Sequence, residues 1–349
     1  MTELSTLTMT DYQEYSLFIQ RLAHSMYYAS TDFKDILEHE FEMKSSYGIL
    51  RLDGRIIGAI PCFIKDNESH GAVLNSLPFF GSNGGLVMDP DYDTPEHRSL
   101  LINYLLNVSN TFGCISTVVI TSPFETNHDV YRNHFCPDLM DYRIGQITEL
   151  KSDNISAFSN MRVRGIKKAI KSGVRPRIAD CASPEELELF HEMHHSNMIR
   201  IGGVIKPFTF LQKINASPYS RFLWAELDGQ IIAGLLCLFF NKTVEYYIPV
   251  FDEDHKNLHG LSLAIWHGMD EAFREGYRYW NFGGTWLSQE GVYTFKDNFG
   301  TQDFPYTYYV KLDRDIDFFR SLGRQKLTEE YPFLYVIPFS ALESEGLGE

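Results

Sequence analysis

The feature that most narrows the fold of this chain is a repeat. Leu52-Asp53-Gly54-Arg55-Ile56-Ile57-Gly58-Ala59-Ile60-Pro61-Cys62 in the first half is matched by Leu227-Asp228-Gly229-Gln230-Ile231-Ile232-Ala233-Gly234-Leu235-Leu236-Cys237 in the second. Each reads as a β-hairpin: Asp-Gly supplies the positive φ angles of a tight turn, and β-branched residues follow it. The downstream order matches too. In the first half a helix is expected from about Thr94 to Thr111, with Leu100, Leu101, Tyr104 and Leu105 at helical spacing, then Gly113 and a strand over Ile115–Ile120. In the second half a strand over Val244–Val250 leads to a helix from about Leu261 to Glu275, which Gly276 closes, and to a strand over Tyr279–Phe282. A chain that runs twice through hairpin, strand, helix and strand is expected to form two α/β (α+β) units, each with a mixed, mainly antiparallel sheet flanked by helices.

The 349 residues allow two domains of roughly 175 residues each. The boundary is expected near a short basic helix at 161–173, giving an N-terminal domain over 1–155 and a C-terminal domain over 156–349 that includes this helix. A last helix is expected over about 316–330.

Composition excludes several classes. With 44% hydrophobic and 14% aromatic residues, disorder is not expected. The longest apolar run, Ile231 to Phe240, is strand-sized against the ~20 residues of a spanning helix, so no transmembrane segment is expected. Met1 to Tyr12 has no basic region followed by an apolar stretch. The five cysteines are scattered and form no CxxC pair, which speaks for free thiols rather than a disulfide framework or zinc ribbon, and the expected location is the cytoplasm. A net charge of −15 argues against a DNA-binding surface and disfavours tRNA, though not a local site for one phosphorylated substrate.

Three clusters stand out chemically. Arg162, Arg164, Lys167, Lys168 and Lys171 concentrate positive charge on one short helix, as either a solvated face or an anion site. Asn281-Phe282-Gly283-Gly284 followed by Gly291-Val292-Tyr293-Thr294-Phe295-Lys296-Asp297-Asn298-Phe299-Gly300 places a glycine pair after a strand and a single lysine among aromatics. That lysine is either an ordinary surface residue on a strand or a cation in a low-dielectric cleft, strong against a developing oxyanion. Leu77-Pro78-Phe79-Phe80-Gly81-Ser82-Asn83-Gly84-Gly85-Leu86-Val87-Met88-Asp89 is a glycine-rich loop that ends in a carboxylate and is not a Walker loop. A fourth motif, His191-Glu192-Met193-His194-His195, satisfies H-E-x-x-H on an expected helix and leaves a zinc hydrolase through His191, Glu192 and His195 as a minor alternative. No nucleophile elbow is present, and no metal site is expected.

Taken in order, the Pro-Phe-Phe-Gly-Ser-Asn-Gly-Gly loop, the Arg164-Gly165-Ile166-Lys167-Lys168-Ala169 helix and the Phe295-Lys296-x-x-Phe299-Gly300 ending resemble FemAB-like peptidyltransferases over roughly residues 10 to 310. That resemblance implies two tandem GNAT-like domains and an N-acyltransferase of cell-envelope or polysaccharide biosynthesis. It would move an acyl or aminoacyl group to an amine of a nucleotide-linked sugar, a peptide or another envelope precursor. It further implies Lys296 as stabiliser of the tetrahedral intermediate, Asp89 as the carboxylate near the reacting amine, and Arg164 as holder of an acceptor phosphate. The implied site is a cleft between the domains lined by Asp89, Arg164, Lys168, Tyr293 and Lys296, with Asn83, Gly84, Gly284 and Phe295 as further substrate contacts. Such a site needs no tightly bound cofactor; the donor would be acyl-coenzyme A or aminoacyl-tRNA. Two departures stand beside it: no long helical arm appears, and the usual acetyltransferase pyrophosphate loop has only Asn257-Leu258-His259-Gly260 as its nearest counterpart. A non-catalytic tandem domain that binds an anionic ligand is the alternative.

Overall fold

In the computed structural model, which describes residues 1–77, 83–286 and 289–343, the chain divides into two compact units: Met1–Ile144 together with Pro305–Glu349, and Gly145–Phe304.

The first unit opens with β1 (Thr2–Thr6), α1 (Tyr12–Arg21), α2 (Thr31–Phe41) and β2 (Lys44–Ser45). The first copy of the repeat follows as β3 (Gly48–Leu52) and β4 (Arg55–Ile60), then β5 (Phe63–Lys65), β6 (Ala72–Asn75), β7 (Val87–Met88), α3 (Pro95–Thr111) and β8 (Cys114–Ile120). β9 (Leu139–Glu149) carries the chain into the second unit. There α4 (Asn160–Lys171), β10 (Arg175–Ala179), α5 (Pro184–Ile201) and α6 (Phe208–Asn215) precede the second copy. That copy is β11 (Ser220–Leu227), β12 (Gln230–Phe240), β13 (Thr243–Phe251), α7 (Gly260–Arg274) and β14 (Tyr279–Thr285). α8 (Glu290–Asp297) follows; β15 (Gln302–Leu312) returns the chain to the first unit, where α9 (Ile316–Glu330) ends it.

The repeat is real in three dimensions. Both hairpins turn on an Asp-Gly pair with positive φ at both residues: 49° and 83° at Asp53-Gly54, 51° and 82° at Asp228-Gly229. This is the geometry that matches the right-handed twist of paired strands. Both carry a register shift at the same place, between Leu50 and Arg51 in one and Ala225 and Glu226 in the other. In each unit the helix after the hairpin then joins two parallel strands, β6 with β8 across α3 and β13 with β14 across α7.

The copies differ in continuity. In the second unit β12 runs unbroken and pairs with β11 on one side and β13 on the other, within the order β10-β11-β12-β13-β14-β9. In the first unit Pro61, which has no N–H to give a ladder, falls between β4 and β5. The strand splits there, so β4 belongs to a sheet of order β1-β3-β4-β7 while β5 belongs to one of order β15-β8-β6-β5-β2.

The core of the second unit gathers Leu223, Leu235, Ile265, Met269 and Trp280 between α7 and the sheet; that of the first gathers Leu50, Ile57, Leu101, Leu105 and Tyr309. Helix ends follow their sequence signals. Ser183 and Glu186 form a capping box that opens α5, with Pro184 in its first turn, and Gly202 at φ 63° closes it.

The sequence-based division at 155/156 differs from the observed one. Residues from 305 onward pack with the first unit, where Asn75 bonds Tyr335 through both its amide groups and Ser116 donates to the Val336 carbonyl. The repeat marks where each copy begins; it does not reveal that the last strand and helix return. The segment around Lys296, expected on a strand if structural, is instead the helix α8, and Gly283 and Gly284 lie inside β14 rather than after it. Among the described residues no helix is long and apolar enough to cross a membrane.

The glycines of the repeat give a graded test. A Cβ at Gly54 or Gly229 would meet nothing within 4 Å, so Gly54→Ala and Gly229→Ala should each cost only the positive-φ penalty, about 1–2 kcal/mol. At Gly234 a Cβ would sit 2.6 Å from the buried Trp224 ring, so Gly234→Ala should add an overpacking cost of about 1–3 kcal/mol. Chemical denaturation of the three variants checks this ordering.

Candidate functional site

The second unit holds two buried cations that no carboxylate among the described residues pairs with. Lys296 sits in the last turn of α8 and is only 6% exposed. Its Nζ donates to the carbonyls of Gly283 at 3.3 Å and Gly284 at 2.9 Å and to Thr285 Oγ1 at 2.9 Å. Those three acceptors use all three ammonium protons. All are neutral, so no counter-charge offsets the loss of hydration, and burial lowers the Lys296 pKa to about 7. A short chain of bonds fixes the group: Thr285 Oγ1 donates to Gln146 Oε1 at 2.8 Å, and Gln146 Nε2 donates to the Tyr293 carbonyl at 3.1 Å. β14, α8 and β9 thus meet at one ammonium.

The second cation is Arg162, on α4. Ser159 caps that helix by accepting from the Arg162 N–H, and Arg162, Gly165, Ile166 and Ala169 form its buried face at helical spacing. The Arg162 guanidinium lies 4.6 Å from the centre of the Phe295 ring and 4.4 Å from that of Phe299. It donates to Ser262 Oγ at 2.5 Å and to the Phe295 carbonyl at 3.3 Å; its Nε is buried without a partner. Desolvation lowers its pKa.

Arg162 lines a cavity of about 150 Å³ at the start of α7, with Ala233, His259, Gly260, Ser262 and Phe295 also on its wall. α7 opens without a side-chain cap, and its N-cap residue His259 is held at φ 59°. A helix N-terminus with free amide donors beside an arginine is an anion-binding arrangement. Gly165 allows the approach, because a Cβ there would stand 3.2 Å from the His259 ring. Burial, Lys168 and Arg162, in that order, lower the His259 pKa. Lys256 and His255 are engaged by Glu253 and Asp252.

The residues singled out from sequence fall in different places. Lys296, Gly284, Tyr293 and Phe295 come together in the second unit: Gly284 accepts from Lys296, and the carbonyls of Tyr293 and Phe295 accept from Gln146 and Arg162. The Tyr293 hydroxyl donates to Asp303. Arg164 and Lys168 lie exposed on the opposite side of α4 from the buried Arg162. Asp89, Asn83 and Gly84 belong to the first unit. There Asp89 is buried with Oδ2 accepting from Arg21 at 2.8 Å and Arg55 at 3.1 Å, while Oδ1 caps the turn at 90–92 through the Asp91 N–H. Asn83 donates to the Thr121 carbonyl, and Gly84 forms an isolated bridge with Thr121. Pro78, Phe79, Phe80, Gly81 and Ser82 of the same loop lie outside the described residues.

The H-E-x-x-H helix forms as α5, but its histidines face different surroundings. His191 packs against the Phe208 ring, His195 is exposed, and the buried His194 accepts from the Lys206 N–H. Among the described residues no group of three or more His, Cys, Asp or Glu could hold a metal ion.

Sequence reasoning named Arg162 only as one of five charges in the basic cluster, and it missed Thr285 and Gln146. The burial of Arg162 was recoverable: only Arg162 of the basic cluster shares the i, i+3, i+4 and i+7 stripe of Gly165, Ile166 and Ala169. Nothing local marks Gln146 or Thr285.

Because Lys296 binds its proton less tightly folded than unfolded, the folded chain carries fewer protons between pH 7 and 10.5, and stability rises with pH there. Lys296→Met removes this dependence, so the variant should gain most relative to the parent at or below pH 7 and lose that advantage towards pH 10. Denaturation midpoints at pH 6.5, 8 and 9.5 measure it.

Residues 158–297 match the family described as an acetyltransferase (GNAT) domain. No curated protein matches the chain by sequence. Among solved structures, FemX is similar with a TM-score of 0.69 at 12% identity, over 87% of this chain and 96% of that one. L-PGS from Bacillus licheniformis is similar with a TM-score of 0.57 at 12% identity, over 87% and 93%. A tandem GNAT protein from the clavulanic acid biosynthesis pathway is similar with a TM-score of 0.56 at 9% identity, over 90% and 100%.

Proposed function

We propose that this chain, a GNAT-type acyltransferase of FemAB-like tandem architecture, transfers an acyl or aminoacyl group directly to an amine of a nucleotide-linked sugar, a peptide or a related cell-envelope precursor. The observation that carries the reading is Lys296: a buried ammonium held by neutral acceptors alone, with its pKa lowered to about 7.

In direct transfer the amine attacks the donor carbonyl carbon, a C–N bond forms, and the carbonyl oxygen gains the negative charge. Collapse of the intermediate breaks the bond to the leaving thiolate or alkoxide, and the amine's proton leaves with it or to solvent. No protein nucleophile is required; the demand is for positioning and for a donor at the oxyanion. Lys296 meets that demand by releasing its longest bond, the one to the Gly283 carbonyl, and turning that proton to the oxyanion. The desolvation cost already present in the folded protein then becomes differential stabilisation of the transition state.

Acyl-coenzyme A is the donor we favour. Arg162 and the uncapped start of α7 offer a guanidinium and backbone amides to a pyrophosphate, which supports a nucleotide thioester more directly than a tRNA end. Arg164 and Lys168, exposed on the other side of α4, serve in this reading as the outer positive field that draws anionic substrates in. Asp89 organises Arg21 and Arg55 rather than accepting the amine's proton.

Lys296→Met should lower the transfer rate by about 10²–10³-fold while the fold is kept. In the parent protein kcat/KM should fall as pH rises past the Lys296 ionisation; a rise through the same range would instead assign Lys296 as proton acceptor. Acetyl-coenzyme A should raise the thermal midpoint of the parent, and Arg162→Met should abolish most of that shift. An unchanged shift in Arg162→Met would remove the pyrophosphate assignment.

A further inference from the structure

Four basic side chains line the cavity at the start of α7, Arg162, His255, Lys256 and His259, and no Asp or Glu among the described residues does. In a chain of net charge −15 such a wall selects for negative charge. Three of the four already have partners: Arg162 donates to Ser262 and to the Phe295 carbonyl, His255 pairs with Asp252, and Lys256 pairs with Glu253. The His259 ring has no hydrogen-bond partner among the described residues, and the residue is exposed, so a ligand can reach it.

The ring does not do what an N-cap side chain ordinarily does. Such a side chain turns back to accept from the first turn, as Thr94 does at the start of α3. His259 holds the corresponding position at α7 and makes no such bond. Its ring lies instead against α4, where Gly165 has no Cβ to displace it; one there would stand 3.2 Å from the ring Cγ and Nδ1. The imidazole and the start of α7, with its free backbone amides, therefore border the same cavity.

The unpaired charges around this ring are of one sign. Arg162 and Lys168 act on it from α4. The turn at 253–258 carries Asp254 and the two engaged bases, His255 with Asp252 and Lys256 with Glu253. The remaining wall, Ile232, Ala233, Phe251, Gly260, Leu261, Ser262 and Phe295, holds no titratable group. Burial, Lys168 and Arg162, in that order, disfavour the imidazolium. A diphosphate at the start of α7 reverses the balance, because opposite charge beside the ring favours its protonated form.

We propose that His259 is a proton-coupled binding residue for the donor. Its ring is neutral while no anion is bound, takes up a proton from solvent when a diphosphate diester seats at the start of α7, and then donates that N–H to a phosphate oxygen. Capture of the donor is thereby coupled to pH and tightens as the solution becomes more acidic. The inference rests on the pyrophosphate reading of this cavity given above.

The test is calorimetric titration of the full chain with dephospho-coenzyme A, whose diphosphate is esterified at both ends and so titrates no proton of its own near neutrality. At pH 6, in two buffers of different ionisation enthalpy, the parent should show net proton uptake on binding. Its affinity should rise about threefold to tenfold from pH 7.5 to pH 6, within the tenfold per pH unit that one proton allows. His259→Asn keeps a side chain that tolerates the left-handed backbone but cannot ionise; it should lose the uptake and most of the pH dependence. Lys168→Met, on the exposed face of α4, removes a cation that disfavours the imidazolium and should move the uptake to higher pH. That second variant keeps the test decisive if His259→Asn fails to fold. Binding without proton uptake, or uptake that persists in His259→Asn, overturns the proposal and leaves the pyrophosphate reading standing. Absence of binding, or unchanged binding in Arg162→Met, removes that reading and the proposal with it.

Discussion

The second unit is organised around cations buried without counter-charge. Arg162 reaches from α4 to Ser262 at the start of α7 and to the Phe295 carbonyl in α8, and its guanidinium lies against two phenyl rings. A desolvated cation–π contact contributes about 2 kcal/mol, which offsets part of the several kcal/mol lost on taking the charge from water. Lys296 repeats the arrangement with three neutral acceptors. The pKa values of both groups are lowered, and both for the same first reason, desolvation. The proposed oxyanion and pyrophosphate roles rest on these two charges, neither of which a carboxylate among the described residues neutralises.

The duplicated unit shows how one topology carries two different surfaces. Both copies keep the Asp-Gly hairpin, the register shift beside it and the parallel pair joined by a helix. They part where a single residue type changes the backbone's options. Pro61 splits a strand that its counterpart runs through unbroken. Thr94 caps a helix whose counterpart begins bare at His259. The consequence is local: the start of α7 has no side-chain cap and stands beside Arg162, whereas the start of α3 is closed by Thr94.

Much of the secondary structure was legible because its signals are local. The α3 and α7 helices, the α9 helix over 316–330 and both hairpins follow from periodicity, turn chemistry and caps. The site was legible in part. Lys296 stood out as a lone lysine among aromatics, and it is indeed buried. Arg164 and Lys168 stood out through the charge of the cluster and the family resemblance, whereas burial selected Arg162, the one member of the cluster on the apolar stripe of its helix. Asp89 stood out as a carboxylate ending a glycine-rich loop, and it is neutralised by Arg21 and Arg55, which lie far from it in sequence. The helical state of 290–297 was hidden because its glycine and aromatic residues carry weak helix propensity.

What the sequence by itself determined is the repeated order of elements and the residue types at each turn and cap. These depend on φ preferences and on side chains within four residues of one another. What only the tertiary structure decided is the environment of each charge. Whether a lysine ends beside carbonyls or carboxylates, and whether Gln146 lies behind Thr285, depends on strands that pair across more than a hundred residues. A pKa is set by burial and by neighbours in space, so no local pattern specifies it. The return of β15 and α9 to the first unit belongs to the same class: it is a choice of partner, made by Asn75 and Ser116 for residues near the other end of the chain.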